Sequence, residues 1–196
     1  MSTDIIRLGA KQTSAGGDAC FAIKILNDKG KGCIKMEKGY VFESPIGMLK
    51  ICEENGSLTG LCLQREDTDG ILQQNFEKHS DLLYEAYTQL NEYFAGKRVK
   101  FDLPLKGKGT AFQQRVWREL QKIPYGETRS YEDIAIGIGN PKAVRAVGQA
   151  NGRNPILIIV PCHRVIHKNG SIDGFACGTK VKRFLLDLEK GKCGLV

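Results

Sequence analysis

Cys162, His163 and Arg164 follow Pro161 directly, at the end of five large apolar residues, Ile156 to Val160. A thiol, an imidazole and a guanidinium in succession form a candidate nucleophilic centre. Cysteine attacks as the thiolate, and an unperturbed thiol has a pKa of about 8.5, so a base or positive charge must lie nearby. His163 and Arg164 are the nearest candidates, backed by a basic half-chain. Adjacent side chains usually point in different directions. His163 is therefore expected to need a water or a turned backbone to take the proton from Cys162. A third group would then orient the imidazole. The acids nearest in sequence are Asp173, Asp187 and Glu189. Glu189 falls in an amphipathic segment with Val181, Phe184, Leu185 and Leu188, which can hold a carboxylate rigidly.

Three other readings compete. A lone buried cysteine is commonly structural. Cys162, His163 and His167 resemble a metal fragment, but no second ligand pair stands at the usual spacing. A cysteine hydrolase would need an oxyanion hole and a cleft that the sequence does not announce. The remaining cysteines (20, 33, 52, 62, 177 and 193) are scattered without a CxxC pair. That argues against a disulfide framework and most zinc modules. A structural zinc held by Cys20, Cys33, Cys52, Cys62 and His79 is disfavoured by irregular spacing. No metal and no cofactor is expected.

The 196 residues allow one large domain or two small ones. Apolar residues make up 41% and charged residues 26%, ordinary values for a globular protein. No apolar run approaches the roughly 20 residues of a membrane span. Met1 to Arg7 lacks a signal-peptide core, so an intracellular protein without a membrane partner is expected. Charge is uneven. Residues 1–100 hold 13 Lys+Arg against 14 Asp+Glu, whereas residues 101–196 hold 16 against 8. A half-chain this basic is a candidate nucleic-acid surface, with plain solubility charge as the alternative.

The elements that must position Cys162 can be read from pattern. Ile156 to Val160 reads as a strand buried on both faces, ending at Pro161, which cannot donate to a ladder. Phe21–Leu26 and Cys33–Met36 read as a hairpin. Gly39–Glu43, Met48–Cys52 and Leu58–Leu63 read as a small antiparallel sheet, with Asn55-Gly56 as a hairpin turn. A helix is expected from about Gln73 to Ala95, and Phe101 to Gly109 as a linker between domains. Thr110-x-x-Gln113 is a capping box opening one helix, and Ser130-x-x-Asp133 caps a second, short one. Asn140 and Pro141 start a third, to about Ala150. The last two, joined by a short Gly-containing turn, resemble a helix-turn-helix. The second of these has small residues at Ala143, Ala146, Gly148 and Ala150, and Arg145 as its one long central side chain. That suits either a tightly packed core helix or a helix that approaches DNA closely.

Pro161-Cys162-His163-Arg164-Val165 resembles the active-site signature of the O6-alkylguanine-DNA alkyltransferases, or methylated-DNA–protein-cysteine methyltransferases. The similarity extends through Phe112-Gln113-x-x-Val116-Trp117, Ile123-Pro-Tyr-Gly126, Ser130-Tyr131, Gly139-Asn-Pro141, Arg145-Ala-Val-Gly148 and Asn154-Pro155. Beyond Cys162 it takes in Gly170, Gly174-Phe175, Gly178, Lys182, Leu185-Leu186 and Glu189. It runs from Ala111 to Glu189 almost without gaps and more weakly from Gly39 to Leu105.

The resemblance implies an α+β protein. Residues 1–38 form an extension of unknown role. Residues 39–105 form a small α/β domain with an antiparallel sheet, ribonuclease-H-like. Residues 106–196 form a mostly helical, winged-helix-like domain with a helix-turn-helix. It implies repair by direct reversal, in which one molecule transfers one alkyl group from O6-alkylguanine, or O4-methylthymine, in duplex DNA to Cys162. The partner is double-stranded DNA entered from the minor groove, and a monomer is expected. The cytoplasm of a prokaryote or the nucleus of a eukaryote would be its place.

Roles are implied residue by residue. Cys162 is the acceptor, His163 the base acting through water, and Glu189 its orienter. Tyr131 donates to the guanine, Lys182 polarises the site, and Asn154 ties the turn. Arg145 replaces the flipped base, while Ala143, Ala146, Gly148, Tyr131 and Arg164 contact DNA. Pro161, Val165, Phe175, Ala176 and Cys177 line the substrate pocket. Phe175 stands where the family often has Tyr and Cys177 where it often has Gly, which is expected to restrict bulky O6 groups. A lesion-binding relative without transfer activity and a transcriptional regulator remain the rival readings.

Overall fold

The structure, a computed structural model, describes residues 38–64 and 80–192. Both segments of the Phe21–Met36 hairpin lie outside the described residues, as do Cys20, His79 and Cys193. Strands β1 (Lys38–Ser44), β2 (Gly47–Glu54) and β3 (Ser57–Leu63) form an antiparallel sheet in chain order. The expected Asn55-Gly56 turn joins β2 to β3, with φ of 53° and 70° at its two residues. Positive φ at both positions is what a type I′ turn requires.

Helix α1 (Asp81–Phe94) packs on this sheet through Leu83, Ala86, Leu90 and Tyr93. It starts at Asp81, and residues 73–79 of the expected helix lie outside the described residues. Ser80 is extended and accepts from the Leu83 amide, so it caps the helix. The expected linker is also more than a tether. Pro104 O accepts from the Leu58 amide at 2.8 Å and Lys106 N donates to Leu58 O at 2.8 Å. Phe101, Leu103 and Leu105 pack against the core.

Helix α2 (Ala111–Leu120) opens on the Thr110–Gln113 capping box, with both reciprocal bonds made. Strand β4 (Arg129–Ser130) leads into α3 (Tyr131–Gly137), which opens on the Ser130–Asp133 box. A 3₁₀ turn at Pro141–Ala143 precedes α4 (Val144–Gly152). Asn140 makes no side-chain cap, and Pro141 takes the first position of the 3₁₀ turn rather than of α4 itself. A second 3₁₀ turn, Cys162–Arg164, leads into β5 (Val165–Ile166), and α5 (Thr179–Glu189) closes the fold. Strands β4 and β5 pair in parallel, which the sequence pattern did not suggest. That pairing brings the start of α3 beside the residues that follow Cys162.

The five apolar residues before Pro161 do not form a strand. Ile156 makes a single bridge to Leu61, and the chain then turns, with Ile158 at φ 68°. The turn is held by Asn154, whose Nδ2 donates to Ile156 O (3.2 Å) and Val160 O (2.8 Å) and whose Oδ1 accepts from Ile156 N (3.0 Å). Its side chains are nonetheless buried, Ile156 and Ile158 at 1% exposure. A continuous apolar run reports burial but not backbone shape. Leu61 N donates to Pro155 O and Leu157 N to Leu61 O, both at 2.9 Å. The free edge of β3 is thus satisfied by the turn that delivers Cys162. One hydrophobic cluster runs from Phe42 and Leu49 of the sheet through Trp117 to Cys162 and Leu185.

Candidate active site

Cys162 sits at the start of a buried 3₁₀ turn with its side chain at 3% exposure. Its amide donates to Val160 O at 2.8 Å. Its carbonyl accepts from Asn151 Nδ2 at 3.2 Å and from the Val165 amide. Burial pushes the thiol up to about 11, against the weaker opposing pull of the Asn154 side chain and the Lys182 ammonium; the Cys177 thiol adds to the rise. The resting side chain at neutral pH is therefore the thiol. The expected aid of Arg164 to the thiolate is not seen, because its guanidinium is committed elsewhere.

His163 is wholly buried and lies 2.8 Å from Glu189 Oε1 through Nε2. A carboxylate accepts only, so Nε2 carries the proton and Nδ1 is left as an acceptor. Nδ1 has no partner among the described residues. Burial lowers the imidazole pKa more than Glu189 raises it, so His163 is neutral in the resting protein. Glu189 is the hub. Burial favours its neutral form, but bonds from His163 and Arg164 outweigh this and hold the carboxyl at about 2. Its oxygens also accept from Tyr93 Oη at 2.7 Å and from the Gly126 amide at 3.1 Å. Gly126 has φ 76°, and a Cβ there would come within 3.1 Å of Glu189 O. Only glycine places that amide at this distance without strain.

Arg164, expected at a DNA surface, is instead buried and turned inward. Its Nε and Nη2 grip Glu189 at 2.9 Å each, and Nη1 donates to Ile123 O at 2.7 Å. The planar fork matches the carboxylate, and breaking that pair to reach DNA would strand a buried charge. Lys182 is also fully buried. Its Nζ donates to Val165 O at 2.6 Å and lies 6.0 Å from the Tyr131 ring centre and 5.7 Å from that of Phe175. Burial lowers its pKa, while Cys162 and Asp173 act in the opposite sense. The Tyr131 hydroxyl is raised by burial and then by Cys162, so it is a donor at neutral pH.

Tyr131, Val144, Arg145, Gly148, His167 and Asp173 line a cavity of about 460 Å³. On α4, Arg145 and Ala146 are exposed and Gly148 is partly so, as is Ala143 in the 3₁₀ turn before it. Ala150, grouped with these by spacing, is core: it is 2% exposed and its carbonyl takes the Trp117 indole N–H at 2.9 Å. Phe175 is buried, Cys177 half-buried and Ala176 exposed. Val165 is in the core. Pro161, expected in the substrate pocket, instead lines a second cavity of about 550 Å³ with Phe101, Tyr125, Ile159 and Arg164.

Sequence reasoning missed Tyr93, Asn151 and Gly126. Asn151 is a buried polar residue at the end of α4, which is a weak signal for a structural bond. Tyr93 carried none, since an aromatic at helical spacing reads as core.

The family profile described as "6-O-methylguanine DNA methyltransferase, DNA binding domain" matches residues 111–191. That described as "6-O-methylguanine DNA methyltransferase, ribonuclease-like domain" matches residues 38–106. The constitutive methylated-DNA–protein-cysteine methyltransferase of Bacillus subtilis is 53% identical over 152 residues, covering 76% of this chain and 92% of that one. The chain belongs to the methylated-DNA–protein-cysteine methyltransferase family. Two solved members superpose closely on this methyltransferase. The Mycobacterium tuberculosis O6-methylguanine methyltransferase gives a TM-score of 0.70 at 45% identity, covering 82% of this chain and 97% of that one. The M. tuberculosis OGT in complex with DNA also gives 0.70, at 46% identity, covering 79% and 94%. Among the described residues, no helix of this methyltransferase is long and apolar enough to cross a membrane.

Proposed function

We propose that this methyltransferase repairs O6-alkylguanine, and O4-methylthymine, in duplex DNA by moving the alkyl group to Cys162 once per molecule. The observation that carries the reading is Cys162 on one 3₁₀ turn with His163, itself bonded to Glu189, while Tyr131, whose hydroxyl is raised by burial and then by Cys162, walls a cavity with Arg145. In the reacting complex the thiol proton passes through a water to His163 Nδ1. The sulfur attacks the alkyl carbon, an S–C bond forms, and the C–O6 bond breaks with its electron pair going to the base. Tyr131 donates to the leaving oxygen. The base regains a proton at the ring, so the overall reaction neither releases nor takes up protons. Because the thiol rests protonated, reaction waits for a bound lesion.

The C-terminal half is read as a winged helix-turn-helix domain (106–196) and residues 39–105 as a ribonuclease-H-like domain. Helices α3 and α4 supply the DNA-docking pair. The exposed edge of α4 supports minor-groove entry. A Cβ at Gly148 would make only ordinary contacts at 3.9 Å with Tyr131, so the fold itself does not demand glycine there. A surface that must approach a narrow groove does. Arg145 occupies the gap left when the base is rotated out, which offsets part of a cost of a few kcal/mol. The protein acts as a monomer.

Incubation with duplex DNA carrying labelled O6-methylguanine tests the reading. Label should appear on protein in one-to-one yield and vanish in Cys162→Ala. Binding without transfer would favour a lesion-binding relative, and repeated turnover would refute the acceptor role.

A further inference from the structure

One buried contact of the active-site hub is not used by the reaction as described. Tyr93 sits on α1, packed against the N-terminal sheet, yet its hydroxyl donates to Glu189 Oε1 at 2.7 Å. The same oxygen accepts from His163 Nε2 at 2.8 Å and from Arg164 Nη2 at 2.9 Å. Three donors share one oxygen. We propose that Tyr93 is a positioning residue for alkyl transfer, setting through Glu189 how firmly the His163 imidazole is held and how readily it takes the Cys162 proton. This rests on the reading of His163 as the base.

The physics is competition. A carboxylate oxygen has limited charge to share among donors. Each bond from Tyr93 disperses charge that would otherwise stabilise the imidazolium. With the hydroxyl removed, Glu189 stabilises protonated His163 better, and the imidazole becomes more basic. The other groups facing the pair are Arg164 on the 3₁₀ turn, Tyr125 in the turn after α2 and Lys182 on α5. Arg164 and Lys182 both oppose protonation of His163. Tyr93 therefore acts against Glu189 on the same side as these cations. Its ring is fixed by Phe94, Phe101 and Tyr125, with centres 5.5 to 6.1 Å away, so the hydroxyl has no freedom to swing clear. The contact spans 96 residues of sequence and makes α1 part of the reaction machinery.

The experiment is the pH dependence of the single-turnover rate on duplex DNA carrying O6-methylguanine. In wild type the rate falls on the acid side as His163 becomes protonated. Tyr93→Phe keeps the ring and loses the hydroxyl, and its acid limb should move to higher pH by roughly half a unit to one unit. Phe101→Leu loosens the same aromatic packing but keeps the hydroxyl, and its limb should stay in place. A fluorotyrosine at position 93 alone has a more acidic hydroxyl and should move the limb to lower pH, a sign that packing damage does not produce. A limb unmoved in Tyr93→Phe, or moved equally by Phe101→Leu, would overturn the inference. If the limb persists in His163→Gln, the reading of His163 as base fails instead.

Discussion

The basic half of the chain uses its positive charge in two opposite ways. At the Cys162 site, Arg164 and Lys182 are buried and fully engaged, one by Glu189 and Ile123 O, the other by Val165 O. On and beside α4, Lys142, Arg145 and Arg153 stand exposed and form no salt bridge among the described residues. The first set holds shape in a low-dielectric interior, where each charge must have its partner. The second faces solvent, where each charge acts through water and salt. Net charge counts both sets alike, yet only the exposed set can steer DNA.

The contrast yields predictions, largest first. Glu189→Ala removes the acceptor shared by His163, Arg164, Tyr93 and Gly126. Urea unfolding should show a loss of about 3–5 kcal/mol, whereas Arg145→Ala should stay within about 0.5 kcal/mol of wild type. Equal losses would erase the distinction between the two regions.

The buried thiol offers a second measure. Its pKa is about 11 in the folded protein against an ordinary 9.0. A group raised on folding is protonated below both values and costs nothing there. As pH climbs from about 9 to about 11 only the unfolded chain ionises, and stability falls. Wild type should lose about 2–3 kcal/mol more than Cys162→Ala across that window, followed by denaturant titration at each pH.

On the exposed side, Arg145→Ala should slow transfer from duplex DNA roughly tenfold or more, while transfer from free O6-methylguanine changes little. A similar loss on both substrates would place Arg145 in the chemistry rather than in docking. Cys177→Gly should raise the rate with a benzylguanine substrate several-fold relative to O6-methylguanine in DNA, since a half-buried side chain is removed near the acceptor. Equal ratios in both proteins would remove Cys177 from substrate choice. The smallest effect belongs to Lys142→Ala. Binding should weaken uniformly across sequences, and the dependence of log affinity on log salt should drop by about one.

Much of the scaffold was legible because local signals act locally. Thr110–Gln113 and Ser130–Asp133 form both capping boxes, and Asn55-Gly56 forms the hairpin turn, since each motif satisfies its own backbone groups within four residues. Cys162, His163 and Glu189 were legible as chemistry, and the geometry brings His163 and Glu189 to 2.8 Å. The misreadings share one cause. Ile156 to Val160 is apolar throughout, and apolarity states that a segment is buried without stating its φ and ψ. Arg164 looks like a surface cation until Glu189, 25 residues later, comes within its reach. Ser80 caps α1 with an extended backbone, a start that apolar periodicity does not mark.

Residue type and spacing by themselves determined the candidate nucleophile and base, the caps at Thr110 and Ser130, the Asn55-Gly56 hairpin and the uneven charge, because these depend on covalent neighbours and short-range hydrogen bonds. Tertiary structure alone decided which cations are spent inside and which remain outside, that the chain turns rather than extends before Cys162, and that a tyrosine from α1 reaches the site. Those outcomes depend on which distant groups share the same low-dielectric space, and a linear chain does not state its partners across 96 residues.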